Sequence, residues 1–261
     1  MSESSQKERI DEVSQYYAPA KKLDLVITVL FWVIAVLTLT ILCTSKSVAL
    51  IQDKVKVAYI ILVIGHFFAS IILSLYLIPL AERKRRKQML SDALGAPLIQ
   101  EKTQLYYNND FAPSISRLGA IVMENSLFSK EVASRMLLPI RFIAGAYLLA
   151  WLILFTVRQS DLDVLLTVTQ IVFSSAIAVR WIQLEFLRYR HEQTYEALYS
   201  HFYGGHKQSP KSVATILDAF ANYETTKANS GVILSSKIFK QINAEFTSKW
   251  QNIRAELKIH D

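Results

Sequence analysis

Residues 57–87 read VAYIILVIGHFFASIILSLYLIPLAERKRRK: 25 residues from Val57 to Ala81 with no acid, lysine or arginine and a single histidine, His66, then Glu82 and five consecutive cations. At about 1.5 Å per residue, a helix of that length exceeds the ~30 Å hydrocarbon layer of a bilayer. The cations cannot follow it inside, so the junction at Glu82 marks where the membrane ends. Three further stretches have the same character: Leu25–Cys43, Leu137–Val157 and Leu162–Val179, of 19, 21 and 18 residues. The first carries no charge, and the other two carry Arg141 and Asp163 only near an end. Four spans are expected, and with them a small polytopic membrane protein.

The composition agrees with this segregation. The chain is 52% apolar and yet 20% charged, with a net charge of +7 and a mean hydropathy of +0.25. The cations cluster at Lys21-Lys22 before the first span and at Arg83–Lys87 after the second, whereas the turn between spans three and four holds only Arg158. Lysine and arginine near span ends stay on the cytoplasmic side. Both termini and the insert 82–136 are therefore expected on the cytoplasmic side. The order is an N-terminal segment (1–24), a span pair (25–81), an insert (82–136), a second pair (137–179) and a tail (180–261).

A cleaved leader is not expected, because residues 1–24 mix five acids with four bases. Cys43 follows Leu42 where a lipoprotein site needs a small residue, and a single cysteine forms no intrachain disulfide. It is expected to be a small apolar filler.

The periodicity outside the spans is helical throughout. Ile10, Val13 and Tyr17 would share one face of a short helix ending near Pro19. Glu82–Leu94 continues out of span two until Gly95-Ala96-Pro97 stops it. Residues 98–113 read as a loop, and Ser114 or Ser116 caps a helix to Met136 with Leu118, Ile121, Val122 and Ala133 inward. Beyond span four, Leu184, Leu187, His191, Tyr195, Leu198 and Phe202 recur at spacings of three and four up to Gly204-Gly205. Ser209-Pro210 opens a helix expected to bury Val213, Ile216, Leu217 and Phe220. Gly231 ends it, and Ser235 or Ser236 caps a last helix striped with Phe239, Ile242, Phe246, Trp250, Ile253 and Leu257. No alternating strand pattern of useful length occurs. The expected fold class is all-α: four transmembrane helices and a cytoplasmic helical domain built from insert and tail.

Chemistry-bearing motifs are sparse. His191, His201 and His206 do not share a helix face, and no phosphate loop or nucleophile elbow occurs. No catalytic residue, metal site or cofactor is expected, and the histidines read as structural. The cations Arg83, Arg85, Arg86 and Lys87 anchor the topology on anionic headgroups or line a site for a phosphate-bearing ligand. Tyr106, Tyr107, Asn108 and Asn109 would suit ring stacking in such a site, or form a plain turn. Within the spans, His66, Ser70 and Ser74 make one polar stripe and Asp163, Thr167, Gln170 and Ser174 another. Such stripes face other helices or water. Gly65-x-x-x-Ala69 and Ala146-x-x-x-Ala150 would serve close helix packing.

Tyr106-Tyr107 through Pro113, with Met123-Glu124-Asn125-Ser126-Leu127-Phe128-Ser129, resembles the inter-pair segment of the SMODS-associated four-transmembrane effectors. The tail pattern Ile216-Leu217-Asp218-Ala219-Phe220 followed by Ile233 and Phe239 is similar to theirs. Where an arginine is expected after that turn, this chain has Glu224 and Thr225, with Lys227 the nearest cation. The resemblance implies a CBASS-type anti-phage effector that senses a cyclic oligonucleotide from a partner cyclase, forms a homo-oligomer and breaches the bilayer. DNA and RNA are not expected partners. The alternatives are a non-conducting membrane adaptor and a membrane-embedded enzyme. Reporter fusions after residues 50 and 160 should read as periplasmic, and those after 100 and 261 as cytoplasmic. The reverse at either end would overturn the orientation.

Overall fold

The computed structural model describes residues 10–43, 49–104, 106–108, 112–156, 169, 175–205 and 209–259. Its helices are α1 (Tyr17–Cys43), α2 (Ala49–Ile72), α3 (Ile78–Leu94), α4 (Ile115–Thr156), α5 (Arg180–Tyr203), α6 (Pro210–Ser230) and α7 (Ser236–Glu256). The described residues are all-α except for one small ladder. Strand β1 (Ile10–Asp11) pairs antiparallel with β2 (Thr103–Gln104), Ile10 opposite Gln104.

Three helices among the described residues are long and apolar enough to cross a membrane, within Glu12–Ile41, Asp53–Leu94 and Ile115–Ile153. Their apolar side chains face outward: Leu25 is 65% exposed, Leu75 75% and Phe142 78%. Leaving one such side chain in water costs roughly 1.5–3 kcal/mol, so a belt of them requires lipid. Residues 162–168 and 170–174 lie outside the described residues, and with them most of the expected fourth span.

The helices do not stop where the hydropathy changes. α4 runs 42 residues through the junction at 136/137, and α2 passes into α3 through a π turn at Leu73–Leu77. Pro79 explains the wider turn: it has no N–H for the carbonyl of Leu75, four residues back. The backbone answers with the N–H of Ile78 donating to the carbonyl of Leu73, one residue farther than an α-helix reaches. A second π turn, Ser175–Val179, leads into α5, and α4 carries Pro139. All three irregularities fall at the ends of spans facing the helical head.

The N-terminal segment departs from expectation. Ile10–Asp11 is extended and Glu12–Tyr16 is a tight 3-10 turn. α1 then runs from Tyr17 past Pro19 into the span. Proline is tolerated there because the first N–H groups of a helix have no internal partner. The segment is pinned to the insert by Glu101, which accepts from Tyr16 Oη and Lys84 Nζ, both at 2.5 Å. Those two bonds hold the Glu101 carboxyl down to about 2.

The head packs around the first half of α4. Leu118, Ile121, Met123 and Leu127 are fully buried there against Met89 of α3, Leu198 and Phe202 of α5, Ile216 and Tyr223 of α6, and Trp250 of α7. Gly119 permits this closeness, since a Cβ would meet Ile216 Cγ1 and Phe202 Cζ at 3.1 Å. The caps are those expected: Ser114, Ser209 and Ser235 side chains accept from Arg117, Ser212 and Ile238 N–H groups, and Gly231 closes α6 in the left-handed conformation. The stripe Ile242, Phe246, Trp250, Ile253 and Leu257 is buried as expected. Val213 and Leu217 are not: they are 38% and 45% exposed, because α6 turns Ile216, Ala219 and Tyr223 inward.

Trp250 is completely buried, so Trp250→Ala should cost about 3–5 kcal/mol, whereas Leu217→Ala should stay within about 0.5 kcal/mol. Thermal unfolding in detergent measures both, and equal effects would contradict the packing described.

Candidate ligand cavity

The base of the head, where it meets the spans, encloses a cavity of about 480 Å³. Its walls follow from helical spacing. Tyr17 and Lys21 come from one face of α1, Glu82 and Arg85 from α3, and Phe128 and Val132 from α4. Leu187 and His191 come from α5, Tyr223, Lys227 and Ser230 from α6, and Phe239 and Lys240 from α7. Apart from the adjacent Phe239 and Lys240, the residues from each helix lie three, four or seven apart and so point the same way. Glu82 directly follows the second apolar stretch, Lys21 lies four residues before the first and Val132 five before the third.

Most of the charges in the cavity are paired. Arg85 grips Asp11 bidentately, Nη1 to Oδ1 and Nη2 to Oδ2, both 2.9 Å. Its guanidinium lies 4.2 Å from the Tyr106 ring centroid. Deeper in, Lys227 Nζ sits 2.5 Å from Glu82 Oε2 and 3.4 Å from Glu224 Oε1. Burial opposes the Lys227 ammonium, but Glu82, Tyr223 and Glu224 outweigh it and hold its pKa well above the usual lysine value. Burial pushes the Tyr223 phenol up to about 12 and raises Glu224 against the pull of Lys227.

Two features are left over. Lys21 and Lys240 have no carboxylate within ion-pair distance among the described residues. Lys21 Nζ reaches only Ser236 Oγ, at 2.5 Å. Burial, then Arg85 and Lys240, lower its pKa, with Asp11 opposing. His191 is 0% exposed, and neither ring nitrogen has a hydrogen-bond partner among the described residues. Burial, with a smaller push from Lys227, lowers its pKa to about 3. The imidazole is therefore neutral, packed 5.2 Å from the Tyr223 ring.

The residues singled out from sequence divide. Arg85 and Tyr106 meet at the cavity, while Arg83, Arg86 and Lys87 are exposed on other faces of α3. Tyr107 turns into the core and donates to Gln88 Oε1. Asn108 is structural, donating to Glu124 while its carbonyl accepts from Arg254. Asn109 lies outside the described residues, as do Asp163, Thr167, Gln170, Ser174 and His206. In span two, Ser70 Oγ donates back to the His66 carbonyl and Ser74 Oγ to that of Ile71. Gly65 has open space around it, and Ala146 and Ala150 are exposed. Among the described residues nothing covers Gly65, Ala146 or Ala150. Arg141 pairs with Glu185 at 2.6 Å, and Arg180 with Asp24 at 3.2 Å, so ion pairs tie the helices together at the span ends. Among the described residues no three His, Cys, Asp or Glu side chains could hold a metal ion.

No protein-family model, curated protein or solved structure matches this chain.

Sequence reasoning missed Lys21, Lys240, Glu82 and Lys227 as a set. The one available signal was Lys227, a lone cation on an otherwise apolar and acidic helix face.

The depressed His191 pKa makes a signed prediction. The unfolded chain takes up a proton near pH 6.5 that the folded chain refuses until about pH 3. Its contribution is present above pH 6.5 and lost as pH falls, by up to roughly 1.4 kcal/mol per pH unit. Glu224, with its raised pKa, acts in the opposite sense. The melting temperature should drop from pH 7 to pH 5, and His191→Leu should reduce that drop. An unchanged pH profile in the variant would contradict the assignment.

Proposed function

We propose that this chain is an inner-membrane effector of bacterial anti-phage defence, closed at rest and opened when a cyclic oligonucleotide binds its cytoplasmic head. The observation that carries the reading is that the cavity walls are extensions of the spans themselves. α1, α3, α4 and α5 each run from an apolar stretch into the cavity. A ligand shifts a two-state equilibrium only by its difference in affinity for the two states. Here a change in the separation of Glu82, Val132 and His191 is a change in the separation of the spans.

The joints support the same reading. π turns and prolines are the usual places where a helix bends, and all three fall toward the head ends of the spans. Four helices of one chain leave no central lumen, so a breach requires several copies. The open faces at Gly65 and Ala69, and at Ala146 and Ala150, suit close helix approach by a neighbouring copy. His66, Ser70 and Ser74, with Asp163, Thr167, Gln170 and Ser174, would then line the water path. No enzymatic step is required. The exposed pair Val213 and Leu217 favours a second reading, a non-conducting adaptor that docks a partner on α6.

Vesicles loaded with a self-quenched dye separate these readings. The reconstituted protein should release dye when given the products of a partner nucleotide cyclase and stay tight without them. Pro79→Ala restores the missing N–H, stiffens the joint and should slow release while ligand binding is retained. Tight vesicles under every condition, with binding intact, would overturn the effector reading in favour of the adaptor.

A further inference from the structure

The cavity has a chemical polarity of its own. At its mouth stand two ammonium groups, Lys21 on α1 and Lys240 on α7, with no carboxylate of their own among the described residues. Arg85 is already neutralised by its bidentate grip on Asp11. Arg85 and Lys240 both disfavour the Lys21 ammonium, and an anion placed between the two lysines relieves that cost. Inside, the surfaces are flat and aromatic: Tyr223 lies against His191, and Phe128 and Phe239 have ring centroids 5.6 Å apart. The same wall holds an imidazole with one N–H to give and one lone pair to fill, neither of them used. A buried polar group without a partner is destabilising. Its presence in the lining is accounted for by a partner that arrives from outside. The volume, about 480 Å³, falls in the range of small-molecule sites.

We propose that the cavity takes a soluble ligand joining a phosphate-type anion to a planar ring, the anion held between Lys21 and Lys240 and the ring edge hydrogen-bonded to His191. The consequence for gating rests on the effector reading above, but the binding does not. The division of labour is specific. The two lysines supply a salt-sensitive attraction that any phosphate can use. His191 reads a ring edge that offers a donor or an acceptor, and so rejects a bare phosphate. A ring seated against His191 on α5 and Tyr223 on α6, with its phosphate drawn toward α1 and α7, also touches four helices at once.

The test uses the full chain in nanodiscs of neutral phosphatidylcholine, with binding followed by calorimetry and melting temperature. Cyclic di-AMP and cyclic di-GMP carry both elements; inorganic phosphate and adenosine carry one each. At least one cyclic dinucleotide should bind, with each half binding tenfold or more weakly, since about 1.4 kcal/mol is a factor of ten and a lost buried hydrogen bond is of that order. Lys21→Gln with Lys240→Gln, both at exposed positions, should weaken binding and flatten its salt dependence. His191→Leu should raise the melting temperature of the unliganded protein yet lower its affinity about tenfold. Wild-type affinity in His191→Leu, equal binding of the halves, or no binding by any probe would overturn the proposal. So would an equal stabilisation by phosphatidylglycerol in the disc without a soluble probe, which would assign the cations to lipid headgroups. Binding as described with vesicles that never leak would leave this site standing and sink the effector reading. Leakage triggered by cyclase products without binding here would do the opposite.

Discussion

A helix cannot end inside hydrocarbon, because its last four carbonyls would have no partner there. That constraint shapes this molecule more than any single contact. Toward the head, each described span continues past its apolar stretch before it stops, and α3 and α5 stop at Gly95 and Gly204. The head is therefore made of the spans' own helices. α4 shows this most plainly: its first half is the most deeply buried helix of the head, and its second half is lipid-facing. Among the described residues no linker separates the head from the spans.

Charge is arranged to suit that continuity. The pairs Arg180–Asp24, Arg141–Glu185 and Lys227–Glu82 each join one helix to another near the membrane boundary. Surface pairs contribute little to stability. Lys227 is different, because its side chain is only 14% exposed and that of Glu82 only 18%. Removing one member of a buried pair costs about 3–5 kcal/mol, largely because the other is left uncompensated. Such a pair fixes how α6 meets α3 more than it stabilises the fold. It is also the point at which the tail touches the extension of span two.

Much of the architecture could be read from the residues. Apolar length gave three of the four expected spans, the fourth lying mostly outside the described residues, and Ser114, Ser209-Pro210, Gly231 and Ser235 gave the caps, because these signals are local and each acts within one turn of helix. The α7 stripe was legible for the same reason. Val213 and Leu217 were misjudged because α6 has apolar residues around much of its circumference, and periodicity alone cannot say which arc finds a partner. The extended Ile10–Asp11 was missed because its partner, Thr103–Gln104, is some ninety residues away. The cavity was hidden for that reason too. Asp11 and Arg85 are 74 residues apart, and no local rule brings them, Lys227 and Lys240 to one place. His191 reads in sequence as one more position on an inward face; only its lack of a hydrogen-bond partner among the described residues sets it apart.

The π turn ahead of Pro79 has a further consequence. It accommodates one residue more than the α-helix would at the same rise. If that surplus residue were taken up and the turn tightened, everything before it would screw by about 100° and advance by about 1.5 Å relative to α3. A corkscrew of that size would swing Phe67 and Phe68 from lipid toward a neighbouring helix and bring His66 round with them, while Glu82 and Arg85 kept their grips on Lys227 and Asp11. The span can thus change which face it shows without the head coming apart.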